Sequence, residues 1–510
     1  MYRALLTQPT SSRRTSPVTR RKKLHSLIAA LRALFLIAGF ISVEEMKAQP
    51  MPRSQPNLIL ILTDDLDLGP IGFPSPIAYM PQIQSLLVNQ GLTFSNAFVT
   101  RSLCCPSRAS ILRGQYPHNH TIQSNRAPDG GEKTFRELGL DSSTIATWLQ
   151  AAGYQTVLIG KYLNGYGWSP RYVPPGWNEW YAGVEGKEEY YNYKFNENGE
   201  IVFYGSDPED YLTDVETAKA TDFIRRTTTP FFMYLAPSAP HGDPPTPAPR
   251  HVGYFADLMA PRPPSFNEAD MSDKPTWLRL HPLLTDPQIE AIDIGYRARL
   301  ESMLAVDDMV AAVVQALRDR GQLNNTFIFF TSDNGYHQGE HRLNGGKDTT
   351  YEEDIRVPLI VRGPGVPARK TVNHQALNSD LAPTLAELAG ALAGEFIDGR
   401  SLTPVLSHTP PPLETWRQRF LVERWPPSDL GNPRVNHTVR TLEYTYTEYK
   451  DEAELYDVLS DPYQLENFYS TADPDLIAQL VSQLEALKVC AGDSCRAAEN
   501  LTMPTLAPSP

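Results

Sequence analysis

Cysteine is nearly absent from this chain. Only Cys104, Cys105, Cys490 and Cys495 occur in 510 residues, with no CxxC pair, which argues against a thiolate zinc site. Cys104 and Cys105 are adjacent, and neighbours do not form an ordinary disulfide. Cys490 and Cys495 flank Ala491-Gly492-Asp493-Ser494, a spacing that closes a small disulfide ring in an exported protein. Positive charge is also short: 46 basic residues face 59 acidic ones, a net charge of −13. Nine basic and two acidic residues lie in 1–48, which leaves 37 against 57 beyond, a net charge of −20. So acidic a body is a poor general binder of nucleic acid. It must hold any anionic substrate with local positive charge, against its own average field. Apolar residues at 41% and charged residues at 21% exclude a mainly disordered chain, a collagen and a polytopic membrane protein. Proline, by contrast, is plentiful at 45 residues, and predicts long ordered loops.

Residues 1–48 read as an address. Arg13, Arg14, Arg20, Arg21, Lys22 and Lys23 precede the apolar run Ala33–Val43 and then Lys47-Ala48-Gln49. Eleven apolar residues are too few to span a bilayer comfortably. The order predicts a signal peptide or an N-terminal anchor, hence a secreted, periplasmic or cell-surface protein. Beyond it, buried-strand patterns recur at Asn57–Thr63, Gln155–Ile159, Phe231–Leu235, Thr326–Phe330 and Val357–Val361. Helical spacing appears at Ser143–Ala152, Arg299–Arg318 and Asp380–Ala389, the last stopped by Gly390. This alternation predicts an α/β fold with a largely parallel central sheet over 55–405. The Pro-rich stretch Pro404–Pro412 leads to short strands at Arg419–Val422, Thr438–Leu442 and Leu455–Val458, and a helix at Pro474–Leu487. These predict a small α+β domain over 410–500, with 501–510 as a disordered tail. Residues 168–230 and 243–290 read as loop-rich insertions dense in Tyr, Trp and Pro.

Ligands of open α/β sheets bind at the carboxyl ends of the strands. Four strand ends carry Thr63-Asp64-Asp65, Gly160-Lys161-Tyr162, Pro240-His241 and Ser332-Asp333-Asn334-Gly335. Asp64, Asp65, Asp333 and Asn334 are oxygen donors; gathered, they suit Ca²⁺ or Mg²⁺ rather than zinc. Taken singly, each pair is equally a helix cap or a turn.

Cys104-Cys105-Pro106-Ser107-Arg108, followed by Leu112-Arg113-Gly114, resembles the Cys-x-Pro-Ser-Arg … Leu-Thr-Gly signature of the type I sulfatases. Gly160-Lys161, Pro240-His241, Ser332–Gly335 and Lys347 follow in the family's order, and the likeness runs from about residue 55 to 470. Tyr116–His120 and Lys161–Asn164 are most similar to N-acetylglucosamine-6-sulfatases and related arylsulfatases. The resemblance implies an alkaline-phosphatase-like sulfatase fold and hydrolysis of an aryl or sugar sulfate ester. It also implies that a formylglycine-generating enzyme oxidises Cys104 to formylglycine (3-oxoalanine). One hydroxyl of the aldehyde hydrate attacks sulfur and the other lets the sulfate ester collapse, which a single serine hydroxyl could not do. Cys104 would join Asp64, Asp65, Asp333 and Asn334 around calcium, or magnesium in its place. Arg108, one helical turn beyond Cys104, would point back at the hydrate and the metal carboxylates, while Lys161, His241 and Lys347 would grip sulfate or protonate the leaving oxygen; His337, close to the Asp333-Asn334 pair, is a further candidate to face the substrate.

The chain departs from the family at Lys161-Tyr162-Leu163, where many relatives carry Lys-x-His, at Arg113, and at Asp243, where relatives often carry an uncharged residue. Two other readings stand beside sulfate hydrolysis. One is a phosphomonoester or phosphodiester hydrolase of the same superfamily; the other is a secreted binding protein that has lost its chemistry. The motif counts from the residue two before Pro106. Cys104→Ser is therefore expected to abolish multiple turnover of an aryl sulfate, while Cys105→Ala leaves substantial activity.

Overall fold

The computed structural model describes residues 55–184, 190–425 and 435–500. The address at 1–48 and the tail at 501–510 lie outside them. Fourteen strands are described, ten in one sheet and four in another. The first ten are β1 (Asn57–Thr63), β2 (Leu92–Phe98), β3 (Gln155–Gly160), β4 (Glu179–Val184), β5 (Tyr193–Glu197), β6 (Glu200–Tyr204), β7 (Phe231–Ala236), β8 (Thr326–Ser332), β9 (Leu359–Arg362) and β10 (Lys370–Leu377). They run in the order β10-β2-β9-β8-β1-β7-β3-β4-β5-β6. The centre, from β8 to β4, is parallel. Strand β9 and the edge pair β5–β6 are antiparallel to their neighbours.

Alternation within β1 explains why it is central. Leu58, Leu60 and Leu62 enter the core on one face, while Ile59 and Ile61 enter the core on the other. Every residue of the strand is buried, as a strand covered on both faces requires. On the second face lies the long helix Asp286–Asp319, opened by a Thr285–Gln288 capping box. Its Met303, Val306, Val310, Val313 and Leu317 pack there, at the spacing read from the sequence. Among the described residues no helix is long and apolar enough to cross a membrane.

The 168–230 insertion is not loop-rich as expected. It holds β4, β5, β6 and the helix Leu212–Arg226. These strands lie toward one end of the sheet: β4 alternates buried and half-buried positions, so it lacks the continuous apolar run of a central strand. The aromatics of this region pack on one another: Trp180 lies 5.1 Å from Tyr162 and 5.9 Å from Trp177, ring centre to ring centre.

The second sheet comprises β11 (Arg419–Arg424), β12 (Asn436–Thr441), β13 (Tyr444–Glu448) and β14 (Ala453–Asp457), an antiparallel meander. Leu476, Leu480 and Leu484 of the helix Pro474–Lys488 cover it, against Phe420, Val439 and Leu455. Cys490 and Cys495 are bonded, with Cα atoms 4.8 Å apart, as their spacing suggested. Buried Arg417 fastens the C-terminal helix to the large sheet's flank. It donates to Asp380 at 2.5 and 2.7 Å and to Glu499 at 2.9 Å. Arg417→Met would leave buried Asp380 without its ion pair and Glu499 with Arg400 as its remaining one. It is expected to destabilise the fold by about 3–5 kcal/mol, read as a lower urea midpoint.

Candidate active site

Strands β1 and β8 pair in parallel through Thr63↔Ser332. That register sets Asp64 beside Asp333 and Asp65 beside Asn334 as the chains leave the sheet. The Asp333 amide donates to Thr63 C=O at 3.1 Å, and the Asp65 amide to Asp333 Oδ1 at 3.1 Å. Asp65 takes a left-handed backbone, φ 65°, which acidic and amide side chains tolerate better than most. One oxygen from each of Asp64, Asp65 and Asp333 falls within 4.8 Å of the others. Asn334 donates its amide N–H to Asp65 Oδ1 at 2.7 Å, while its buried Oδ1 receives no hydrogen bond.

Cys104 opens the helix Cys104–Arg113, which ends at Gly114 in the left-handed region, φ 71°. Its Sγ lies 3.5 Å from Asp64 Oδ1 and 3.9 Å from Asp65 Oδ1. Cys105 instead turns into the apolar core. Arg108, one turn on, donates Nε to Asp333 at 2.7 Å and Nη1 to Lys161 C=O at 2.9 Å. Its second Nη stands 3.6 Å from Asp64. Lys161 pairs with Asp64. Lys347 pairs with Asp65, and its Nζ is 2.7 Å from Cys104 Sγ. His241 Nε2 is 3.7 Å from Asp65. Asp348 and Glu352, the other carboxylates near Lys347 in sequence, are engaged by Arg101 at 2.8 Å and Arg440 at 2.7 Å.

These contacts fix the protonation states. Burial pushes Asp64 up, but Lys161, His241, Arg108 and Lys347 outweigh it and hold the carboxyl well below its usual range. Burial and the Asp64 charge push Asp333 up to about 6. Burial, with Asp64, holds the Cys104 thiol well above its ordinary value. Burial works against the Lys347 charge, yet Asp65 and Cys104 raise it well above an ordinary lysine.

Nine of the ten residues singled out from the sequence thus converge. His337 stands apart from the carboxylates: its Nδ1 faces Asp354 at 2.9 Å, and its backbone pairs with Gly346. Arg113 is a strut to Leu140 C=O and Ser143 C=O, both at 2.8 Å. Sequence reasoning missed Arg299 and Tyr336. Buried Arg299 donates to Asp65 C=O and to Pro240 C=O, and lies 4.0 Å over the Tyr336 ring. It ties together three of the loops that carry the site. A helix arginine has no sequence signal for such contacts, but Tyr336 directly follows the Asp333-Asn334-Gly335 turn.

Fold and site together define an alkaline-phosphatase-like hydrolase. Residues 56–391 match the sulfatase family profile, and 339–489 match that of the N-sulphoglucosamine sulphohydrolase C-terminal region. Human N-acetylglucosamine-6-sulfatase is 36% identical across 97% of this chain and 94% of its own. The arylsulfatase of Volvox carteri is 34% identical, over 92% of this chain and 79% of its own. A protein solved with its substrate D-glucosamine-2-N,6-O-disulfate superposes with a TM-score of 0.71 at 25% identity, over 85% of this chain and 97% of that one. The chain belongs to the sulfatase family and is a sulfuric ester hydrolase.

Proposed function

We propose that this protein hydrolyses sulfate monoesters of sugars, with Cys104 converted to formylglycine and a calcium ion held by Asp64, Asp65, Asp333 and Asn334. The observation that carries this reading is the convergence of three carboxylates, the Asn334 side-chain amide and Cys104, ringed by Lys161, Lys347, Arg108 and His241. The donor set fits a hard cation: all four side chains offer oxygen, and Asn334 Oδ1 is buried without a donor. When bound, calcium would supply positive charge to offset that of the sulfate. A formylglycine hydrate at position 104 would supply an oxygen nucleophile and a second hydroxyl for release of the sulfate.

The other steps belong to the chain's own side chains. Arg108 orients Asp333 and Asp64 from behind the cluster. Lys161 and Lys347 meet the sulfate charge that this acidic body would otherwise repel. Lys347 and half-exposed His241 are placed to put a proton on the leaving oxygen. His337, aligned by Asp354, steadies the Gly345-Gly346-Lys347 loop. Likeness to N-acetylglucosamine-6-sulfatase and to the disulfate-binding neighbour supports a sulfated glucosamine as substrate. The Cys490–Cys495 bond supports export, and we retain 55–405 as the catalytic domain with 410–500 as the smaller one.

Two measurements test this. Lys347→Ala is expected to lower kcat/KM on an aryl sulfate about a hundredfold or more, with little change in the melting temperature of the calcium-loaded protein, in which the metal would offset the Asp65 charge. Near-normal kcat/KM would assign Lys347 to structure alone. Calcium at about 100 times its Kd is expected to stabilise the chelator-treated protein by about 2.7 kcal/mol. Asp333→Asn should reduce that calcium-dependent rise in melting temperature, whether or not Cys104 has been converted.

A further inference from the structure

A solvent-open cavity adjoins the carboxylate cluster. The Gly242-Asp243-Pro244 turn, the long helix at Gly295 and Arg299, and the 336–345 loop form its walls. All three walls start at the site itself. Gly242 follows His241, Tyr336 follows the Asn334-Gly335 turn, and Arg299 donates to Asp65 C=O. Gly242 is needed for the turn: its φ is 139°, and a Cβ there would stand 2.7 Å from Pro245 Cα. The space amounts to about 440 Å³, open solvent included.

Its charges are unbalanced. Arg299 and Asp243 are the charged residues among those lining it. Arg299 is buried, has the Asp67 carboxylate 4.0 Å from its guanidinium as counter-charge, and is held on two carbonyls and the Tyr336 ring. Asp243 is exposed, and no described residue offers its carboxylate a hydrogen bond or an ion pair. Lys347 and His241, just beyond the walls, are turned to Asp65. Tyr336, Gln338 and Asn344 add neutral polar groups. The cavity therefore presents one exposed carboxylate and hydrogen-bonding side chains, its arginine being buried beside Asp67, within a body of net charge −20.

We propose that this cavity receives the alcohol part of the sulfate ester and that Asp243 makes it a charge filter. It admits a sugar whose groups near the scissile ester are hydroxyls, amides or an ammonium, and disfavours one with a second sulfate there. This rests on the sulfate-ester reading above. It sets the chain apart from its structural neighbour, whose substrate carries two sulfates.

The test compares kcat/KM for glucosamine 6-sulfate and glucosamine 2-N,6-O-disulfate, with 4-nitrophenyl sulfate as a third substrate. The Cys104-converted protein, Asp243→Asn and Asp243→Lys are measured at low and high salt. The unsubstituted protein is expected to prefer the monosulfate by about tenfold at low salt, with the preference shrinking as salt screens exposed Asp243. Asp243→Asn should remove most of that preference and Asp243→Lys should reverse it. A ratio of two substrates on one preparation is unaffected by its active fraction. An unchanged ratio in both variants overturns the filter and leaves sulfate hydrolysis standing. Failure of the unsubstituted protein on all three esters overturns the sulfatase reading, and the filter with it.

Discussion

Three buried carboxylates held together are the constraint on which the rest of this structure turns. Two like charges 4 Å apart repel by about 4 kcal/mol at an effective dielectric near 20. Asp64, Asp65 and Asp333 accept that repulsion because Arg108, Lys161, Lys347 and His241 surround them. The compensation is uneven. Asp64 has most of the cations and stays ionised, whereas Asp333, beside Asp64 and deeply buried, takes up a proton more readily. Each cation comes from a different segment, so the cluster also locks β1, the 104–113 helix, the end of β3 and the 345–347 loop to one another.

Backbone geometry puts the charges there. Parallel pairing of β1 with β8 aligns two acidic turns in adjacent register. The left-handed turn at Asp65 presents its carbonyl to Arg299, and Arg299 in turn reaches Pro240, next to His241. Farther out, Asp354 accepts from the Thr349 amide at 2.9 Å and faces His337. The loop holding Lys347 is thus fastened on both sides. The lysine meets Asp65 from a fixed base, although it lies in a Gly-Gly-Lys segment that would otherwise be loose.

Much of this was legible because buried parallel strands and strand-end chemistry leave direct marks. Strand β1 was read with its observed limits, and β8 was read from its first residue, since both are continuous apolar runs. Asp64, Asp333, Lys161 and His241 followed from asking what stands after each strand. Edge strands escaped: β5 and β6 carry exposed Lys194 and Glu200 and the buried but polar Asn196, so apolar continuity is lost. Strand β13, Tyr-Thr-Tyr-Thr-Glu, follows closely on β12 and is not among the strands read from the sequence. Arg299 escaped for a different reason. In a helix that reads as amphipathic, an arginine is indistinguishable from a solvated one until the strand ends beneath it are known.

The same electrostatics disfavour the sulfur of Cys104 as a nucleophile, in keeping with the conversion proposed for it. Reactive cysteines have their thiolate stabilised by a nearby cation or a helix N-terminus. Cys104 has both within reach, at the head of its helix and 2.7 Å from Lys347 Nζ. Yet Lys347 and Lys161 are drawn to Asp65 and Asp64, and Asp64 itself faces Sγ at 3.5 Å. Burial and that carboxylate together hold the thiol neutral. Charge that would activate sulfur is spent on oxygen ligands instead. A site built this way favours a neutral group at position 104 whose oxygens become nucleophilic only beside a cation, and an aldehyde hydrate has that property where a thiol does not.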